Sequence, residues 1–163
     1  MNGLTGTRRL ASPVRLTLGK QSGTDIDGAW WPHTASVAGE LPELVGALHR
    51  SLGEVVDIRI NWSAAEAQLD LNSIVTGNRW PSAAPASRPR LMAVAGRHEC
   101  VKLLVIPCKT SIALGALVMR CAAGMPVAET VRRTPLFETA ECVLRVAQTE
   151  SASWSGRMRD TPV

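Results

Sequence analysis

A single α+β domain, an antiparallel or mixed β-sheet packed with about two to three helices, is the fold class predicted by three features of this 163-residue sequence. Val56, Ile58, Ile60 and Trp62 alternate with Asp57, Arg59 and Asn61. That period of two describes a strand with one buried and one wet face, which suits an antiparallel sheet better than a doubly wound parallel one. Leu41, Leu44, Val45, Leu48 and Leu52 fall on one stripe of a helix over Glu40 to Leu52, with Pro42 near its first turn and Gly53 at its stop. Cys100 to Ile106 is apolar apart from Lys102 and ends at Pro107, as a central strand does when its proline cannot continue the ladder.

The remaining elements follow in chain order. Met1 to Pro13 is rich in Gly, Ser and Thr and is expected to be disordered. Val14 to Leu18 alternates as a strand, Gly19 to Gly23 is a loop, and Gln68 to Thr76 and Leu91 to Ala95 are candidate strands on either side of a Pro/Ala/Ser loop from Gly77 to Pro89. Thr110 or Ser111 caps a helix through Ile112, Leu114, Leu117, Val118 and Cys121 to Gly124. A last helix spans about Phe137 to Gln148. The domain thus covers 14–149, followed by a flexible C-terminal tail over 150–163.

Composition bounds the classes of function. Four cysteines without a secretory leader point to reduced thiols in a cytoplasmic protein, and no run approaches the ~20 apolar residues of a membrane helix. The net charge of +4 is a property of the C-terminal half: residues 1–81 hold seven basic and eight acidic side chains, residues 82–163 eleven and six. These charges are scattered, which favours a solvated face over a nucleic-acid arm.

The most specific stretch is Asp27-Gly28-Ala29-Trp30-Trp31-Pro32-His33, which contains two of the five tryptophans. An extended Trp-Trp pair points its rings to opposite faces, and Pro32 biases Trp31 toward the extended region. One ring enters the core and the other covers a second surface, as core packing or as a stacking surface for a ligand.

The order Asp27 to Pro32, Glu40-Leu41-Pro42-Glu43-Leu44, Leu52-Gly53, a strand, then Leu103-Leu104-Val105-Ile106-Pro107 resembles an uncharacterised actinobacterial family of the domain-of-unknown-function type, over about residues 15 to 124. The resemblance implies a small soluble α+β protein with no assigned activity, catalytic residue or cofactor. Cys108 stands where that family tends to carry a second proline.

Candidate chemistry is sparse. His33 lies beside the Trp-Trp unit in a loop, where an imidazole can act as acid, base or ligand or simply meet solvent. His98, Cys100 and Cys108 are metal-ligating types, and Pro107-Cys108 is similar to the proline-cysteine step of zinc deaminases. That signature also needs His-x-Glu and Cys-x-x-Cys; here His98 and Glu99 are adjacent and Ser111 occupies the second cysteine's place. Cys108, between a strand end and a helix start with Lys109 beside it, is a candidate reactive thiol. Asp25, Asp27, Glu40 and Glu43 are accounted for as turn and first-turn helix residues. No phosphate-cradling Gly-rich loop, Gly-x-Ser-x-Gly elbow or His-Glu-x-x-His helix occurs.

The sequence therefore predicts a soluble cytoplasmic binding or interaction protein without evident catalytic machinery or cofactor, in place of an enzyme. Trp30, Trp31 and His33 line or support a pocket edge and Trp80 sits in a movable loop, holding a small anionic ligand or a protein partner. A homodimer is compatible with this expectation, and no membrane role is. The rival functions are nucleic-acid binding through the basic C-terminal half and a thiol- or metal-dependent enzyme centred on Cys108.

Overall fold

The apolar run that ends at Pro107 has to be covered on both faces, and the architecture supplies a layer for each. A computed structural model describes residues 14–19, 25–62 and 89–160. Five strands, β1 (Leu16–Leu18), β2 (Gly28–Trp30), β3 (Val55–Ile60), β4 (Arg90–Gly96) and β5 (Cys100–Val105), form one sheet in the order β1-β2-β5-β4-β3. β5 is the middle strand, antiparallel to β4 and parallel to β2. The sheet is therefore mixed, within an α+β domain.

Alternation along β5 sends Val101, Leu103 and Val105 into one layer and Leu104, with Ile106 beyond the strand, into the other. The first layer is covered by α1 (Val37–Leu52), whose Leu44, Leu48 and Leu52 recur every four residues and pack on Trp30, Met92 and Val94. The second is covered by α2 (Ile112–Ala122) and α4 (Pro135–Asp160), through Leu114, Leu117, Val118, Ala140, Val143 and Ala147. A one-turn helix, α3 (Glu129–Arg132), joins them and brings the helices among the described residues to four, one more than the sequence suggests. Four residues are too few for a periodicity to register.

α1 begins earlier than its leucine stripe, because the Ser36 side chain caps it by accepting from Gly39 N–H at 3.3 Å. α4 continues past Gln148 to Asp160 although the sequence there turns polar. Those polar groups meet polar groups of the sheet. Ser151, fully buried, donates to Asp25 O at 2.6 Å and accepts from Lys102 Nζ at 3.2 Å. Lys102 also donates to Ser155, and Glu150 accepts from Asn61 Nδ2 at 3.0 Å. Trp154 adds a buried ring to the same helix. Polar burial of this kind is satisfied pairwise across the fold and leaves no period in the chain.

Asn61 also fastens the start of β4, accepting from Leu91 N–H at 2.7 Å and donating to Pro89 O at 3.0 Å. Asp27, expected as a turn residue, is buried instead and extends the β2–β5 seam. Its N–H donates to Lys102 O at 2.8 Å and its carboxylate accepts from Lys102 N–H at 2.8 Å. Met1 to Pro13, expected from the sequence to be disordered, the candidate strand Gln68–Thr76 and almost all of the Pro/Ala/Ser loop lie outside the described residues.

Candidate functional site

Adjacent parallel strands whose following helices depart to opposite faces leave a crevice outside their carboxyl ends, and β2 and β5 meet that condition. From β2 the chain runs through Trp31 to Ser36 into α1, on one layer. From β5 it runs through Ile106 to Ser111 into α2, on the other. Both helix starts are capped by serine, Ser36 and Ser111, the latter accepting from Leu114 N–H at 3.3 Å.

The tryptophan pair straddles this point. Trp30 and Trp31 are both buried, at 2% and 4% relative exposure, Trp30 in the α1 layer and Trp31 in the α2/α4 layer. The opposed rings expected from an extended pair are observed. The Trp31 indole Nε1–H donates to Pro107 O at 3.1 Å, tying one loop to the other. Its ring passes so close to Gly115 that a Cβ there would fall 2.5 Å from ring carbons.

Arg15, in the residues leading into β1, reaches over the Trp31 ring with its guanidinium carbon 3.8 Å from the centroid. It donates through Nε to Trp31 O at 3.1 Å and through Nη2 to Pro32 O at 2.9 Å. Burial lowers its pKa from the ordinary guanidinium value, while the negative charge of Glu40 and the neighbouring Cys108 act to raise it. The guanidinium thus sits between the two loops, within electrostatic reach of both.

Glu40 organises the β2–α1 loop. Its carboxylate accepts from His33 N–H at 2.8 Å, from Thr34 N–H and from the Thr34 hydroxyl at 2.6 Å. Burial acts to raise this carboxyl, but the hydrogen bonds from the Thr34 hydroxyl and from the His33 and Thr34 N–H groups outweigh it, helped by the His33 charge. The net result is a value below the usual carboxylate range. A carboxyl lowered on folding stabilises the fold above its unfolded-state value and loses that contribution as pH falls through the folded-state value. Glu40→Gln is therefore expected to cost about 0.5 kcal/mol at neutral pH, with thermal midpoints of variant and wild type converging in acid. A difference that persists unchanged at low pH would show that the charge is not responsible.

On the β5–α2 loop, Cys108 is half-buried and Thr110 N–H turns back to Pro107 O at 3.0 Å. The Thr110 hydroxyl oxygen is buried and, among the described residues, has no hydrogen-bond partner. All four cysteines are free thiols. Burial, with Glu141, pushes the Cys121 thiol up against the opposing influence of Arg132 and Arg120.

Of the residues singled out in the sequence, the structure brings Trp31, His33 and Cys108 to one rim, with Trp30 beneath it and His33 exposed. Trp80 lies outside the described residues. His98 and Cys100 are at the opposite end of β5 from Cys108, so that metal-ligating set is not assembled. Among the described residues no group of three or more His, Cys, Asp or Glu side chains is placed to hold a metal ion. Arg15, Thr34 and Thr110 were not legible as site residues, since nothing local in the chain connects position 15 to positions 31 and 108. None of the described helices is long and apolar enough to cross a membrane.

No curated protein and no solved structure matches the chain. A family model does, over residues 15–122, and the matched stretch begins at Arg15, contains both loops of the crevice and ends with α2. The stretch that builds the β2–β5 crevice is thus the stretch that defines membership: the chain belongs to DUF5994, a family of unknown function.

Proposed function

We propose that this protein is a non-enzymatic binding protein that holds a small anionic ligand at the carboxyl ends of β2 and β5. The observation that carries this is Arg15, clamped over Trp31 at the point where the two loops diverge. Its two carbonyl bonds use Nε and Nη2, which leaves the Nη1 donors for a ligand oxygen. The N-terminus of the 11-residue α2 adds the positive end of a helix dipole on the other side. Glu40 stands nearby, but its carboxylate is already engaged by three donors of the β2–α1 loop. In this arrangement Trp31 forms the wall under the guanidinium, Trp30 supports it from the α1 layer, and His33 stands at the mouth. The four free thiols support the expectation of a reducing, cytoplasmic setting.

The test is a titration of isotopically labelled protein with inorganic phosphate, followed by amide and indole resonances. Saturable shifts are expected at residues 108–111 and at the Trp31 indole N–H, together with slower alkylation of Cys108 when phosphate is bound. Arg15→Gln should abolish both while the Trp31 indole resonance keeps its folded position. Unperturbed 108–111 resonances, or equal shifts in wild type and Arg15→Gln, would overturn the proposal.

A further inference from the structure

β3 is an edge strand: it pairs with β4 on one side, and among the described residues no strand lies on the other. Exposed edges invite pairing and are commonly blunted by charge. Here the charges are of opposite sign and two residues apart. Asp57 and Arg59 form an exposed ion pair at 3.0 Å, flanked by Val56 and Ile60, which are 59% and 44% exposed.

The backbone decides which groups face outward. Asn61 N–H donates to Leu91 O in β4, so by alternation Arg59 and Asp57 turn their N–H and C=O groups toward β4, and Ile58 and Ile60 turn theirs to the edge that carries no strand among the described residues. An antiparallel copy centred on Ile58 therefore sets Ile58 against Ile58 as a hydrogen-bonded pair. Asp57 then faces Arg59 of the copy as a non-hydrogen-bonded pair, the kind whose side chains come closest, with Cα atoms about 4.5 Å apart. The exposed Val56 falls opposite the exposed Ile60 at both ends. Centring on residue 57 or 59 instead opposes Asp57 to itself or Arg59 to itself, which is unfavourable.

We propose that this chain forms a two-fold homodimer through antiparallel β3–β3 pairing centred on Ile58, which joins two sheets into one and turns each Asp57–Arg59 pair into a four-charge cluster. The register shift between Val55 and Asp57 bends the strand at Val56 and keeps the shared ladder short. The interface is correspondingly at the small end of specific contacts, with a dissociation constant in the micromolar range. This surface is separate from the β2–β5 crevice and does not depend on the ligand-binding proposal.

Sedimentation equilibrium across about 1–300 µM, which brackets that range, tests it on the full chain. The wild type is expected to pass from monomer to dimer. Arg59→Asp, which opposes acidic side chains across the axis, should weaken association about tenfold or more. The double swap Asp57→Arg with Arg59→Asp should restore it, because the pairs then match again with reversed sign. Thermal midpoints unchanged in the variants at a dilution where every form is monomeric show that the fold is intact, as expected for an exposed pair. A monomeric wild type, a dimer indifferent to Arg59→Asp, or a swap that fails to recover association would each overturn the proposal.

Discussion

Replacing Trp31 with alanine is expected to destabilise the domain by about 3–5 kcal/mol, the cost of removing a buried aromatic ring and leaving its cavity. The ring is nearly inaccessible, is bonded to Pro107 O through its indole nitrogen and is overlain by Arg15, so the cavity opens between both loops of the crevice. α2 is built around it: Gly115 stands where a Cβ would meet ring carbons at 2.5 Å. Gly115→Ala should accordingly destabilise by about 1–3 kcal/mol through overpacking, despite a helix-propensity gain of about 1 kcal/mol. In a Trp31→Leu background that penalty should largely disappear, since the atoms it collides with are gone. Urea unfolding followed by circular dichroism measures all three. A Trp31→Ala cost below about 1 kcal/mol, ordinary for a surface site, would mean that the ring does not anchor the α2/α4 layer.

The second large effect is expected at Gly28, the second residue of the Asp27–His33 motif. A Cβ built there would lie 1.9 Å from Thr17 O, a backbone atom of the paired strand, so no side-chain rotation can relieve it. Gly28→Ala must push β1 off β2, at a cost above about 4 kcal/mol if the whole pairing is lost. β1 is preceded by Arg15, whose carbonyl accepts from Trp31 N–H at 2.8 Å. Loss of β1 therefore removes the guanidinium from the crevice as well. Amide exchange should show residues 16–18 and 28–30 opening together while β4 and β5 stay protected. Uniform protection across all five strands would contradict the clash.

How far the chain discloses its own structure differs between elements for physical reasons. α1, β5 and α2 carry their pattern locally: a leucine stripe at Leu44 to Leu52, an apolar run to Ile106, and a serine cap at Ser111. β3 forms where its alternation predicts a strand, but the buried face expected of it is not found: Ile58 is half-buried, and Val56 and Ile60 are exposed. The opposed rings of Trp30 and Trp31 follow from two adjacent extended residues. By contrast, the end of α4 rests on Ser151 finding Lys102 across 49 residues and Asp25 across 126, and Asp27 is buried because Lys102 supplies it a backbone partner. The crevice was half visible. Trp31, His33 and Cys108 stood out by type or neighbourhood, whereas Arg15 is an ordinary polar position beside a strand until β1 folds back along β2.

The strand order has a consequence for how the domain comes together in time. β3, β4 and β5 follow one another both in the chain and in the sheet, so that meander closes through neighbours, apart from its long β3–β4 connection. β2 must instead find β5 across the 75 residues that separate Asp27 from Lys102. Closing a loop of that length costs roughly 4 kcal/mol in chain entropy, and the contacts that repay it arrive only after β5 exists. The seam between β2 and β5 accordingly carries the largest closure cost of the ladders in this sheet. Since the crevice lies on that seam, a ligand held there as proposed would act as a clasp that slows the opening of the N-terminal hairpin.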